Sequence, residues 1–333
     1  MQSRYLKLLA LAGVLALGGC AAAPRGAATS LADAGIKATT SFGAEVDEVA
    51  EQLDYVSVTE AFTRTWELCA NPAICAPQAE SLGATTDREE LANVVRMRAQ
   101  AIDALGQAYT AFKAEAAYDG GADLQDATQT ALKSVTSFAD AAAAAAGAAA
   151  LPPLSSEIQG LIGFGANLIG EKRQRDRLLA ANRALGAATR RLQVGLQHES
   201  SIFDDLADYL VGKKTAVRMA FYESGLTPPS SVLQDFAKPL DVPMVSSTDS
   251  IISGSPRLRT ALQATLKGMS QLETGRMQER YRLSIGALGA LVRSHEAFDA
   301  KRPLAIGDVE RFLNQLDAAL VPATTTGNGG TQP

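Results

Sequence analysis

Residues Thr86–Gly121 read TDREELANVVRMRAQAIDALGQAYTAFKAEAAYDGG. Thr86 and Glu89 stand three apart ahead of an apolar run, the spacing of a capping box, in which each side chain satisfies a backbone N–H of the first turn. Leu91, Val94, Val95, Met97, Ile102, Leu105, Tyr109 and Phe112 follow at mostly three- and four-residue steps, which line one face of an α-helix. Asp119-Gly120-Gly121 closes the helix, since glycine tolerates the backbone conformation that ends one.

The flanking sequence continues in the same manner. Upstream, Leu31 to Cys69 carries Val46, Val49, Leu53, Val56, Val58 and Phe62 at similar steps, with Gly35 and Gly43 weakening its start, and a proline- and cysteine-bearing loop ends it. Downstream, Ala122 to Ala150 forms a third segment, finishing in the alanine run from Ala141 that only Gly147 interrupts. Leu151-Pro152-Pro153-Leu154 stops it, because proline lacks the N–H that a continuing helix needs. A fourth segment restarts at Ser155-Ser156-Glu157 and reaches about Ser224, long enough that a kink is expected near Gly195 to Ser201. Residues 225–256 hold Pro228, Pro229, Pro239, Pro243 and Pro256, which predicts an irregular connection with at most a turn or two of helix. Helices over Arg257 to Ala300 and Asp308 to Leu320 complete the body, and 323–333 is a loose tail. The expectation is an all-α fold: a single elongated domain over 31–322, an antiparallel bundle of long helical hairpins with coiled-coil character.

Composition agrees. Alanine supplies 61 of the 333 residues, so the 47% hydrophobic content consists largely of small side chains that favour helix, and only 5% of the chain is aromatic. The formal charge is −5, and no stretch has the density of Lys and Arg that phosphate backbones require, so nucleic acid is not an expected partner.

The first residues carry Arg4 and Lys7, followed by an uncharged run from Leu8 to Leu17 that is shorter than the about 20 residues a bilayer-crossing helix needs. With Leu17-Gly18-Gly19-Cys20 after it, this segment resembles the lipobox signal of bacterial lipoproteins. The resemblance covers the first twenty residues alone. It implies that 1–19 is removed, that Cys20 is acylated and becomes the first residue of the mature chain, and that Ala21 after it directs the anchor to the outer membrane. Several acyl chains, at about 0.8 kcal/mol per buried CH₂, make such an anchor effectively permanent. Residues 20–30, rich in Ala, Gly, Pro and Ser, then read as a tether. In an oxidising compartment the remaining pair, Cys69 and Cys75, reads as a disulfide across a short loop. Their spacing is not CxxC and no histidine is near, which argues against a redox or metal pair.

Groups that carry chemistry are few. His198 and His295 fall on different helices as partly exposed residues, and no HExxH or GxSxG pattern is present. Asp204, Asp205 and Asp208 share a helix face and read as solvated. Gly160, Gly163 and Gly165 do not form a dinucleotide fingerprint, as no strand precedes them. The expectation is a chain with no catalytic site, metal or cofactor.

One stretch departs from a routine bundle. Residues 134–171 contain no Lys or Arg, and Leu161, Ile162, Phe164, Leu168 and Ile169 lead into the basic residues Lys172, Arg173 and Arg175. An apolar hairpin over 135–170 with a cationic collar fits either self-association along small residues or insertion at a bilayer interface. Its layout is similar in outline to helical pore-forming proteins. Two functions follow as expectations: a lipid-anchored scaffold or binding partner in an envelope assembly, with its body in the periplasm or at the cell surface, or a membrane-active protein using 135–170. A cell-wall enzyme ranks behind both.

Overall fold

The computed structural model describes residues 2–69, 86–117, 123–149, 151–153, 171–223, 225–237 and 254–320; within its helices the side chains of 2–24, 57, 60–69, 86–88, 171–173 and 235–237 are not described. The helices are α1 Gln2–Cys69, α2 Thr86–Ala116, α3 Asp123–Ala145, α4 Glu171–Glu223, α5 Pro229–Ala237, α6 Pro256–Asp299 and α7 Ile306–Leu320. No strand occurs among the described residues, and the fold is an all-α bundle of packed helices.

Three helix ends show why the helices stop where they do. The alanine run does not extend α3 to the prolines: Gly147 adopts φ 64°, Ala148 N–H donates to Ala143 O at 2.8 Å, and Gly147 N–H donates to Ala144 O at 3.0 Å. That is a Schellman cap, which glycine forms without the steric cost a Cβ would add. Gly225 ends α4 in the same way, with φ 73° and Leu226 N–H on Phe221 O at 2.9 Å. Lys301 takes the equivalent place after α6 at φ 54°, just ahead of Pro303. Through Gly195 to Ser201, where a kink is expected, α4 continues as helix without interruption. The connection over 225–256 holds the nine-residue α5; its residues 238–253 lie outside the described residues. Residues 20–30, expected as a tether, are helical within α1, and Ala28 is fully buried. Their alanines have the strongest intrinsic helix preference of any residue.

The body expected as a single domain groups into two compact units. The first consists of Met1–Ala44, Arg96–Glu199 and Leu283–Asn314; the second of Glu45–Val95, Ser200–Arg282 and Gln315–Pro333.

In the first unit one stripe of buried positions on each helix alternates in steps of three and four residues, with further buried residues, mostly alanines, beside it. On α4 the stripe is Leu178, Asn182, Leu185, Thr189, Leu192, Leu196 and Glu199; on α2, Arg98, Ile102, Leu105, Tyr109 and Phe112; on α6, Leu288, Leu291, His295 and Phe298. Glycines in these helices act as sockets. Gly35 lies directly beneath the Tyr109 ring, a Cβ at Gly186 would stand 2.9 Å from His295 Cβ, and one at Gly195 would stand 2.8 Å from Phe138 Cε1. Gly35 therefore does more than weaken the start of a helix: its missing side chain lets α1 approach α2.

The second unit has its own core. Phe203 stacks on Tyr281 with ring centroids 4.0 Å apart and planes 15° from parallel. Tyr222, Val232, Leu262 and Leu266 form an apolar cluster that seats α5. Arg280 pairs with Glu48 and donates from Nε to Ala319 O at 2.9 Å, a cation placed on the carbonyl end of α7.

Candidate functional site

A group of buried polar side chains lies in the first unit, where α2, α4 and α6 meet. Asn182 Nδ2 donates to the backbone carbonyl of His295 at 3.1 Å, which turns Asn182 Oδ1 toward His295 Nδ1 at 2.8 Å. An amide oxygen only accepts, so Nδ1 carries the proton and Nε2 offers its lone pair. The Tyr109 hydroxyl, 2.7 Å from Nε2, donates to it and keeps its oxygen free to accept from Thr189 Oγ1 at 2.8 Å. Thr189 Oγ1 also donates to Leu185 O at 2.8 Å in the preceding turn, so its single proton is shared between that carbonyl and the Tyr109 oxygen. His295 is 3% exposed and Tyr109 fully buried, which corrects the expectation of a partly exposed helix histidine at position 295. Burial pushes the imidazole down to about 3, only partly offset by its hydrogen bond to Asn182, and pushes the Tyr109 phenol up, only partly offset by Thr189. Both rings are held neutral.

Further polar contacts tie the same helices. Arg98 and Glu199 form a buried ion pair at 3.4 Å, their side chains 0% and 4% exposed. Arg177 pairs with Glu115 at 2.7 Å, and Gln174 Nε2 donates to Glu115 O at 2.5 Å. Burial raises the Glu115 carboxyl above its ordinary range, and the charge and hydrogen bond of Arg177 pull it back. Arg191 Nη2 donates to Pro152 O at 2.7 Å and holds the residues beyond α3.

This arrangement has the residue types of a proton-transfer site without the access such a site needs. A general base must reach the proton it takes, and both ring nitrogens of His295 are engaged by side chains of other helices inside the core. The geometry suits fixing helix register, because a one-turn slip of any of the three helices would leave buried donors and acceptors unpaired.

The residues singled out from sequence are distributed as follows. Cys20 and Cys69 lie in α1 with side chains outside the described residues, and Cys75 lies outside them altogether, as do Leu161, Ile162, Phe164, Leu168 and Ile169. Lys172 and Arg173 open α4, their side chains likewise not described, while Arg175 is exposed. The collar is not uniformly solvent-facing, since Gln174 is buried and Arg177 engages Glu115. In the first arm of the 135–170 hairpin, Val135, Phe138, Ala139, Ala142 and Ala143 are buried in the first unit. Insertion of that arm into lipid would require those contacts to be given up.

His198 is half-buried, and Asp204, Asp205 and Asp208 are exposed on α4. Among the described residues no group of three His, Cys, Asp or Glu side chains could hold a metal ion. No described helix is long and apolar enough to cross a membrane. In the second unit a cleft of about 270 Å³ is lined by Glu48, Glu51, Tyr55 and Lys214 among others, and Lys214 is paired with Glu273 at 2.6 Å.

Sequence reasoning missed Tyr109, Asn182, Thr189 and His295 as a group. No family model, curated protein or solved structure matches this chain.

Proposed function

We propose that this protein is a lipid-anchored, all-helical scaffold or binding partner in a bacterial envelope assembly, acylated at Cys20, attached to the outer membrane, and without catalytic activity of its own. The observation that carries this reading is the use made of the interior polar groups. The one buried imidazole is bonded through Asn182 and Tyr109 to α4 and α2, so the residue best suited to chemistry secures the bundle instead. Long helices braced in this way present extended rigid faces, as a scaffold requires, and the lipobox-like segment Leu17-Gly18-Gly19-Cys20 provides the attachment.

The test is made on the full chain with its own signal, expressed in a bacterial envelope and crosslinked in place. The expected result is a mature N-terminus at an acylated Cys20, sedimentation with the outer membrane, and reproducible crosslinks to an envelope protein. Cys20→Ala abolishes acylation and leaves the chain unprocessed. A mature chain that starts elsewhere without acyl groups, or one that crosslinks to no envelope protein, overturns the proposal.

A further inference from the structure

In the second unit α6 is buried along a stripe that includes Leu262 and Leu266, and among the described residues an adjoining face of the same helix is exposed at Leu258, Ala261, Leu272 and Gly275 and half-buried at Thr265 and Gly268. On that face Leu258, Ala261, Thr265, Gly268, Leu272 and Gly275 alternate at steps of three and four, the spacing of a seam between two helices. Leu258 is 40% exposed and Leu272 66%. A Cβ at Gly268 or Gly275 would meet nothing within 4 Å, whereas one at Gly186 or Gly195 would meet a packed side chain. Glycine is the least favourable helix residue after proline. Two of them, seven residues apart on this face, meet no packing partner among the described residues.

The order of the six residues identifies what fits them. When two such helices run antiparallel about an axis between Leu266 and Lys267, Leu258 of one copy meets Gly275 of the other, Ala261 meets Leu272, and Thr265 meets Gly268. Each leucine faces a small residue, so the backbones can approach closely and the leucines fill the space. A parallel pairing would instead set leucine on leucine and glycine on glycine, alternately crowded and empty. None of the six is charged, and at the edges of the antiparallel seam Arg257 falls opposite Gln278 and Arg276 opposite Ser255, with no like charges opposed.

We propose that α6 pairs antiparallel with α6 of a second copy of this chain through these six residues. The inference does not depend on the lipid anchor or on the scaffold reading. A seam of this span is about 27 Å long and lies near the low end of specific interfaces, about 1,000 Å². Association is therefore reversible and concentration-dependent.

The full chain carrying a photo-crosslinking benzophenone side chain at Leu272 provides the test, with the attachment point mapped by mass spectrometry. The expected product has twice the mass of the chain, and its link joins position 272 to residues 258–264 of the second copy. Gly275→Glu, which places a carboxylate where Leu258 would seat and whose Cβ meets nothing within 4 Å among the described residues, lowers the yield at least tenfold at unchanged helix content. A link from 272 to 272, a link only to another protein or to lipid, no link, or a yield unaffected by Gly275→Glu overturns the proposal.

Discussion

The Tyr109 hydroxyl donates to His295 Nε2 at 2.7 Å, and that bond joins α2 to α6 across 186 residues of sequence. The imidazole it meets is neutral, its pKa pushed down to about 3 by burial. Below the ordinary histidine value of about 6.5, the unfolded chain takes up a proton that the folded chain refuses, so this residue costs about 1.4 kcal/mol of stability per pH unit as pH falls toward about 3. Urea midpoints taken at about pH 7.5 and 5.5 are expected to drop more in the parent than in His295→Gln. Equal drops would contradict the buried, neutral assignment. Tyr109→Phe leaves Nε2 without its donor, while Thr189 keeps its bond to Leu185 O, and is expected to cost about 1–3 kcal/mol at neutral pH.

Gly35 and Gly43 stand on the same helix in different surroundings. A side chain at Gly35 would run into the Tyr109 ring, whereas a Cβ at Gly43 would meet nothing within 4 Å. Gly43→Ala is expected to raise stability by about 0.5–1 kcal/mol through helix preference alone, and Gly35→Ala to lower it by about 1–3 kcal/mol through overpacking. Thermal melts of the two variants should shift in opposite directions. Shifts of the same sign would remove the socket explanation.

The Arg98–Glu199 pair is withdrawn from solvent and the Arg183–Asp299 pair is not, with side chains 0% and 4% exposed in the first and 53% and 37% in the second. Arg98→Met removes the cation that faces the buried Glu199 carboxylate and is expected to cost about 3–5 kcal/mol, much of which Arg98→Met with Glu199→Leu recovers. Arg183→Met is expected to change stability by no more than about 1 kcal/mol. A double-mutant cycle in urea measures all of these, and additivity at 98 and 199 would show that the two residues are not coupled.

Within the basic run, Arg175 is exposed and Arg177 holds the buried Glu115. Arg177→Ala is expected to destabilise by about 1–3 kcal/mol, and Arg175→Ala to leave the urea midpoint unchanged. Comparable losses from both would mean that the collar acts as one unit.

Much of the fold is legible in the sequence because its helices are long and periodic. α2 begins at Thr86, where the TDRE pattern places a cap, and α4 and α7 end within a residue of the expected positions. The end of α3 was less legible, since an alanine run followed by two prolines suggests a stop at the prolines, while Gly147 had already capped the helix. The polar core was missed for a different reason. His295, flanked by Ser294 and Glu296, looks solvated when only its neighbours are considered. Its register says otherwise, because it follows Leu288 and Leu291 and precedes Phe298 on one stripe. Arg98, Asn182, Thr189 and Glu199 also occupy positions that spacing reserves for apolar residues. A polar residue in apolar register is the available signal, although the partner it bonds to depends on helix packing, which the linear pattern does not specify.

The Tyr109–His295–Asn182 group is a closed structural device in which every polar atom of the imidazole is engaged inside the first unit. The most direct measurement is imidazole nitrogen NMR on the full chain carrying His198→Gln, which leaves His295 as the sole ring. The account predicts a neutral ring protonated on Nδ1 whose signals do not move between about pH 5 and 8. A ring that titrates within that range, or one protonated on Nε2, would contradict it.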